Sequence, residues 1–251
     1  MRAARVILSA TSFAEARDAL ELATEIAAGM DGDLQGLLIE QEAVLALTGL
    51  PAARLIGPQG RALTGIDAAG MEAAFRGDAR RFEEALARAA EAAALRWSFR
   101  RQRGRIGAIL GGMLETGTLL VASGAPRRRP LREVVLVLGS DGGTGLAGFA
   151  AQQAARTSRP LRLLLPEDAE PPAGLGPAVI ERFGDEADLH RRIAALDPHS
   201  LLLAEIGSDT GSLAEIAQEA RCTCILHVSW EGRAAAVPAG LADGGAAVLK
   251  C

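Results

Sequence analysis

The residues best placed to do chemistry lie in two glycine-rich turns that share the letters Gly-Ser-Asp. The first, Gly139-Ser140-Asp141-Gly142-Gly143-Thr144-Gly145, follows the apolar run 134–138 and leads into a segment, 146–151, that reads as a helix. The second, Gly207-Ser208-Asp209-Thr210-Gly211-Ser212, stands between the apolar run 201–206 and a helical pattern over 213–220. Strand, glycine-rich turn and helix N-terminus together make a natural anion site, because free backbone N–H groups point outward and the helix dipole adds roughly half a positive charge. Glycine lets the backbone approach a phosphate closely, and Asp141 and Asp209 could hold Mg²⁺ or an adenine amine. The same letters also suit plain turns, in which Gly permits the bend and Ser or Asp caps the following helix. Two facing aspartates repel phosphate unless a cation stands between them.

Other candidates carry less. Cys222-Thr223-Cys224 with His227 invites a metal reading, but in a regular strand the two cysteines share one face and His227 lies on the other. Thiols buried as small apolar groups fit that pattern better. His190 lies beside Arg191-Arg192 and His199 follows Pro198, neither with an evident Ser or Cys partner. Arginines gather at 96, 100, 101, 103 and 105 and again at 127, 128, 129 and 132. On an edge strand such charges block edge-to-edge pairing; the alternative is a basic strip for an acidic partner or phosphate.

Composition narrows the class. The chain has 251 residues, 49% of them hydrophobic, which is enough for one large core or two ordinary ones. A net charge of -4 speaks against a general nucleic-acid binder. No apolar run approaches the roughly 18–20 residues of a membrane span, and the opening MRAARVILSA lacks a signal-peptide core. Three cysteines make no disulfide framework, so a reducing cytoplasm is the expected setting.

The elements that would position the turns follow from periodicity. Residues 6–10 read as a strand, with Thr11-Ser12 capping a helix over 13–30, and 34–39 as a second buried strand. A long connection, 40–70, holds an apolar segment at 43–50 and reads as a lid or docking loop. An amphipathic helix over 71–94 leads to a strand over 95–103, in which Leu95, Trp97 and Phe99 alternate with polar residues, then a short helix over 105–115 and a strand over 118–122. Residues 125–132, rich in Pro and Arg, read as a linker between a first domain, 1–124, and a second, 133–229. The second half restarts with strands at 134–138, 161–165, 178–183, 201–206 and 223–228 and helices at 146–157, 186–196 and 213–220. The tail, 230–251, carries few signals. Helical crossovers predict parallel strands.

This order of elements, with RVILSATSFAEARDALELATEIAAGMDGDLQGLLIE and REVVLVLGSDGGTGLAGFAAQQAARTSRPLRLLLPED as two similar openings, resembles the universal stress protein family in a tandem two-domain form. The connection EQEAVLALTGLPAARLIG is similar to one in uncharacterised bacterial members. The resemblance implies an α/β fold of two doubly wound parallel sheets, adenine-nucleotide alpha-hydrolase-like, of strand order 3-2-1-4-5, packed as a pseudo-dimer. It also brings ATP or AMP with Mg²⁺ into view, since some members bind ATP. In such a sheet both Gly-Ser-Asp turns fall at the switch point between the first and fourth strands, where ligands settle.

The chain departs from the family's nucleotide pattern. The acidic residue that ends the first strand is replaced by about Thr11 in the first repeat, and in the second Asp141 stands one place out of register. The Gly-x2-Gly-x9-Gly-Ser/Thr motif is lost, since Arg127 follows Gly124 and Thr210 follows Gly207 at the second glycine's place. The first half lacks its last helix and strand, the second its middle helix. The favoured expectation is a non-catalytic regulatory or adaptor protein with a protein partner or self-association. The alternative is a nucleotide-binding stress protein using the second half's crevice, with or without slow ATP hydrolysis.

Overall fold

The computed structural model describes residues 5–42, 46, 55–56, 62–63, 68–113, 118–123, 131–139, 146–206, 216, 220 and 222–228. In the first half β1 (Arg5–Ala10), α1 (Phe13–Gly29) and β2 (Asp33–Gln41) precede a small hairpin of β3 (Leu55–Ile56) and β4 (Ala62–Leu63). Then come α2 (Ala68–Ala92), β5 (Trp97–Gly104), α3 (Ile106–Gly111) and β6 (Thr118–Ser123). The second half contains β7 (Val134–Leu138), α4 (Ala147–Thr157), β8 (Leu161–Pro166), β9 (Ala178–Phe183), α5 (Glu186–Ala194), β10 (Leu201–Ile206) and β11 (Thr223–Val228). The expected apolar segment at 43–50, apart from Ala46, the tail 230–251 and most of the helix at 213–220 lie outside the described residues.

Nine strands form one mixed α/β sheet in the order β5-β2-β1-β6-β11-β10-β7-β8-β9. Numbered within each half, the first winds 3-2-1-4 and the second 3-2-1-4-5. The expectation of parallel strands holds inside each half and fails at the seam, where β6 and β11 run antiparallel with Ser123 opposite Thr223 and Leu119 opposite His227. The physical reason is that, among the described residues, the first half has no fifth strand beyond β6. The first half ends on β6 with an open row of backbone N–H and C=O groups, and β11 satisfies it from the other half. The carboxyl ends of the two half-sheets therefore face opposite ways.

Helices α1, α2 and α4 cover one face of the sheet, while α3, α5 and the helical residue Ile216 cover the other. The unbroken run of β7 follows from this arrangement: Val134, Leu136 and Leu138 enter one core layer, Val135 and Val137 the other. On α1 the side chain of Ser12 accepts a hydrogen bond from Glu15 N–H at 3.3 Å, the expected N-cap. The three helices on that face end alike, on non-glycine residues at positive φ, namely Asp31, Ala94 and Ser158. Each is followed by an N–H reaching back to the last turn, Gly32 to Ala27 O at 3.0 Å, Leu95 to Ala90 O and Arg159 to Ala154 O both at 2.9 Å.

Helix α2 lies so close to β2 that a Cβ on Gly36 would meet Leu86 Cδ2 at 2.7 Å and Phe99 Cδ2 at 3.0 Å. Phe82 and Phe99 pack edge to face beside it, ring centres 5.3 Å apart. Trp97 departs from the expected inward alternation of β5, standing 37% exposed at the sheet's outer edge. In the second half the described chain between β8 and β9 contains no helix. Instead Arg182 Nη1 gathers three carbonyls of that connection, Pro166 at 3.1 Å, Glu167 at 2.7 Å and Ala169 at 2.8 Å, and Val179 and Ile180 stay exposed on the edge strand. No described helix is long and apolar enough to cross a membrane.

Candidate functional site

Of the expected site residues, Gly139 is described and lies directly after β7, where its N–H donates to Glu205 O at 3.0 Å. That bond joins the first and fourth strands of the second half, β7 and β10, at the switch point. Ser140, Asp141, Gly142, Gly143 and Thr144 of the first turn, and Gly207, Ser208, Asp209, Thr210, Gly211 and Ser212 of the second, lie outside the described residues.

The residue that dominates the described part of this crevice is Glu205, which sequence reasoning passed over. It is the penultimate residue of β10, only 4% exposed, on the face covered by α4. Its Oε2 accepts the N–H of Leu146, the N-cap of α4, at 2.9 Å. Its Oε1 lies 3.2 Å from Nδ1 of His227, which is 3% exposed and directly opposite on β11. An N–H at the start of α4, where a bound anion would be expected, is thus already satisfied by a carboxylate of the protein itself. The signal was present as one acid in LLLAEI and one histidine in TCILHV at matching strand positions.

The first half reaches a comparable state by another route. Phe13 N–H, the first of α1, donates to Asp78 Oδ2 of α2 at 3.2 Å. Arg81 pairs with the other oxygen of Asp78 at 2.5 Å and lies over the Phe13 ring, 5.6 Å from its centre. Thr11, at the place of the expected acid, meets one instead: its N–H donates to Glu15 Oε2 at 2.8 Å and its Oγ1 lies 2.8 Å from the same oxygen. Burial holds the Glu15 carboxyl above its ordinary value of 4.5, against the pull of these hydrogen bonds. Two carboxylates, Glu15 and Asp78, therefore stand at the carboxyl end of β1.

The remaining candidates have structural partners. Cys222 and Cys224 are buried in the core layer beneath α5, and burial, with Cys222 beside it, pushes the Cys224 thiol up. His227 faces the opposite layer, so the three do not converge, and no metal-holding cluster of His, Cys, Asp or Glu occurs among the described residues. Arg101 and Arg103 of β5 flank Glu40, which is 2% exposed, with Arg101 Nε at 2.9 Å from Oε1 and Arg103 Nη2 at 3.1 Å from Oε2. Arg96 pairs with Asp33 at 2.8 Å and Arg132 with Asp197 at 3.0 Å. Arg127, Arg128 and Arg129 lie outside the described residues. Arg101 and Arg103 of the edge strand β5, and Arg96 just before it, are thus held in ion pairs.

These features define a mixed α/β protein in which, in each half, the helix after the first strand gives an N-terminal N–H to a carboxylate of the protein. No family model and no curated protein matches the chain. Among solved structures it is similar to a universal stress protein from Archaeoglobus fulgidus DSM 4304, with a TM-score of 0.43 and 11% identity over 92% of this chain and 98% of that one.

Proposed function

We propose that this protein is a non-catalytic regulatory or adaptor protein, two universal-stress-protein-like halves in tandem that work without a bound nucleotide. The sequence resemblance of the two openings and the winding of each half support the architectural part of this reading. The observation that carries the functional part is the pair of internal caps. In both halves an N–H at the start of the helix after the first strand is given to a carboxylate of the protein, Asp78 in one and Glu205 in the other. A phosphate brought to either place would meet a negative charge where the family's nucleotide site needs donors. The adaptor role then falls to surfaces: a protein partner or a second copy, with the 40–70 connection as one contact.

The test uses the full chain as purified. Released small molecules are identified by mass spectrometry, and ATP and AMP, each with Mg²⁺, are titrated calorimetrically. We expect no stoichiometric nucleotide and no saturable heat below about 1 mM, an affinity of roughly -4 kcal/mol. Bound ATP or AMP in stoichiometric amount, or saturation well below that concentration, would replace this reading with the nucleotide-binding one.

A further inference from the structure

The nine-stranded sheet ends on two edges that are finished differently. At one end β5 carries Arg100, Arg101 and Arg103, and the side chains of the last two remain 43% and 46% exposed beside Glu40. Charge of one sign along an edge repels an incoming strand. At the other end β9 pairs only with β8 among the described residues, and Val179 and Ile180 stand 58% and 47% exposed on it. The two charges of β9 are turned back into their own half. Glu181 holds Arg162 at 3.5 Å and Arg192 at 3.2 Å, and Arg182 Nη1 donates to three carbonyls of the preceding connection. An edge with open N–H and C=O groups, large apolar side chains and its charges engaged elsewhere is a template for another strand.

We propose that β9 pairs antiparallel with β9 of a second copy of this chain, joining two nine-stranded sheets across a two-fold axis at Ile180. Charge selects this arrangement. A two-fold axis normal to the sheet keeps each face on its own side, so one residue meets its own copy and its neighbours pair reciprocally. Centring on Glu181 sets carboxylate against carboxylate, and centring on Arg182 sets guanidinium against guanidinium, both destabilising. Centring on Val179 or Ala178 brings Pro177, which has no N–H to give, into the pairing. Centring on Ile180 sets Ile180 against itself, Val179 against Glu181 and Ala178 against Arg182. Each charge then lies opposite an apolar residue and keeps the partners it already has. The molecule joins two edges in this antiparallel way once already, at the seam of β6 and β11. One six-residue strand per copy falls well short of a standard interface of about 1,600 Å², so the dimer is weak, with a Kd on the order of 10 µM or above. This contact supplies the self-association named in the adaptor reading and in that respect rests on it, whereas bound nucleotide would overturn that reading without touching β9.

The experiment is sedimentation velocity on the full chain from about 1 to 500 µM, a span suited to so small an interface, with cross-linking to fix the register. The parent is expected to pass from monomer to dimer as concentration rises. Ile180→Lys sets two ammonium groups at the axis and should weaken the dimer by about tenfold or more; the side chain is half exposed, so the monomer keeps its fold. Ser98→Lys, on the exposed edge of β5, should leave the dimer unchanged. In a Cys251→Ser background, which leaves only the buried Cys222 and Cys224, Ile180→Cys should form an intermolecular disulfide on oxidation. Opposed residues of an antiparallel pair lie about 4.5–5.5 Å apart, within disulfide reach. Val179→Cys should not cross-link, since the two copies of that position stand about 8 Å apart on the diagonal. A dimer that Ile180→Lys does not weaken, or cross-linking by Val179→Cys in place of Ile180→Cys, would put the contact or its register elsewhere and overturn the proposal. A chain that stays monomeric throughout would overturn it too and leave the edge to a strand of another protein.

Discussion

The two halves solve one problem with different materials. Each must quiet the N-terminus of the helix that follows its first strand. The first half does so with Asp78, carried on a neighbouring helix and 24% exposed, so water shares the work. The second half uses Glu205, carried on the adjacent strand and sealed with His227 in the sheet's interior. A partly exposed cap costs less to lose because solvent replaces it in part; a buried one costs more, because its removal strands an N–H and an imidazole at once. The same contrast runs through the covering layer. Helix α2 presses on β2 in the first half, while in the second a single arginine ties down a helix-free connection.

The largest test of this contrast is replacement of the two carboxylates. Glu205→Ala should cost about 3–5 kcal/mol, because two buried partners, the Leu146 N–H and the His227 ring, lose their hydrogen-bond partner at about 1–3 kcal/mol each. Asp78→Ala should cost about 1 kcal/mol, the loss of an ordinary cap. Urea unfolding of both variants measures the difference, and equal losses would erase the distinction between the halves.

Next in size is the covering layer. Gly36→Val forces atoms into Leu86 and Phe99 and should cost about 1–3 kcal/mol. Arg182→Met, which releases three carbonyls of the uncovered connection, should cost about 1 kcal/mol and raise amide hydrogen exchange around 167–177. If the arginine proves the costlier of the two, the connection bears more of the fold than the helix layer does.

A third test separates the crevices by pH. Glu15 keeps its proton to a higher pH folded than unfolded, because burial disfavours its charge. The native state therefore binds more protons between the ordinary value of 4.5 and the raised one, and this group's contribution to stability falls as pH rises through that window. Glu15→Gln removes the dependence, so its stability relative to the parent should improve steadily from acid toward neutral pH. Parallel profiles for parent and variant would show that burial does not govern this carboxyl.

The smallest effect concerns the link between halves. Arg156 of α4 pairs with Glu25 of α1, Nη2 to Oε2 at 3.0 Å, both side chains about half exposed. A double-mutant cycle with Arg156→Ala and Glu25→Ala should return a coupling of at most about 1 kcal/mol, vanishing at high salt. A larger value would mean that the helices, and not only the β6·β11 seam, weld the halves together.

What could be read along the chain was whatever depends on neighbours in sequence. The run 134–138 announced a strand buried on both faces, Ser12 announced a cap, and the Pro- and Gly-rich stretch after Leu165 announced a missing helix. What could not be read depends on register between distant segments. Glu205 and His227 become partners only when β10 and β11 align, and Asp78 reaches Phe13 across 65 positions. The direction of β11 against β6 was also hidden, because an apolar strand buried on both faces carries the same letters whichever way its neighbour runs. Trp97 shows the limit of alternation itself: the pattern predicts an inward side chain, and on an edge strand it stands 37% exposed.

The seam between β6 and β11 has a consequence for how the chain is made. Ser123 waits for Thr223, so the last strand of the first half is completed by the last described strand of the protein. On the ribosome the first half emerges with β6 unpaired along one side and stays so while the whole second half is synthesised, several seconds at ordinary elongation rates of roughly 5–20 residues per second. During that interval Leu119, Leu120 and Val121 present an apolar template to any passing strand. A truncation before Thr223 is therefore expected to aggregate rather than yield a soluble first half.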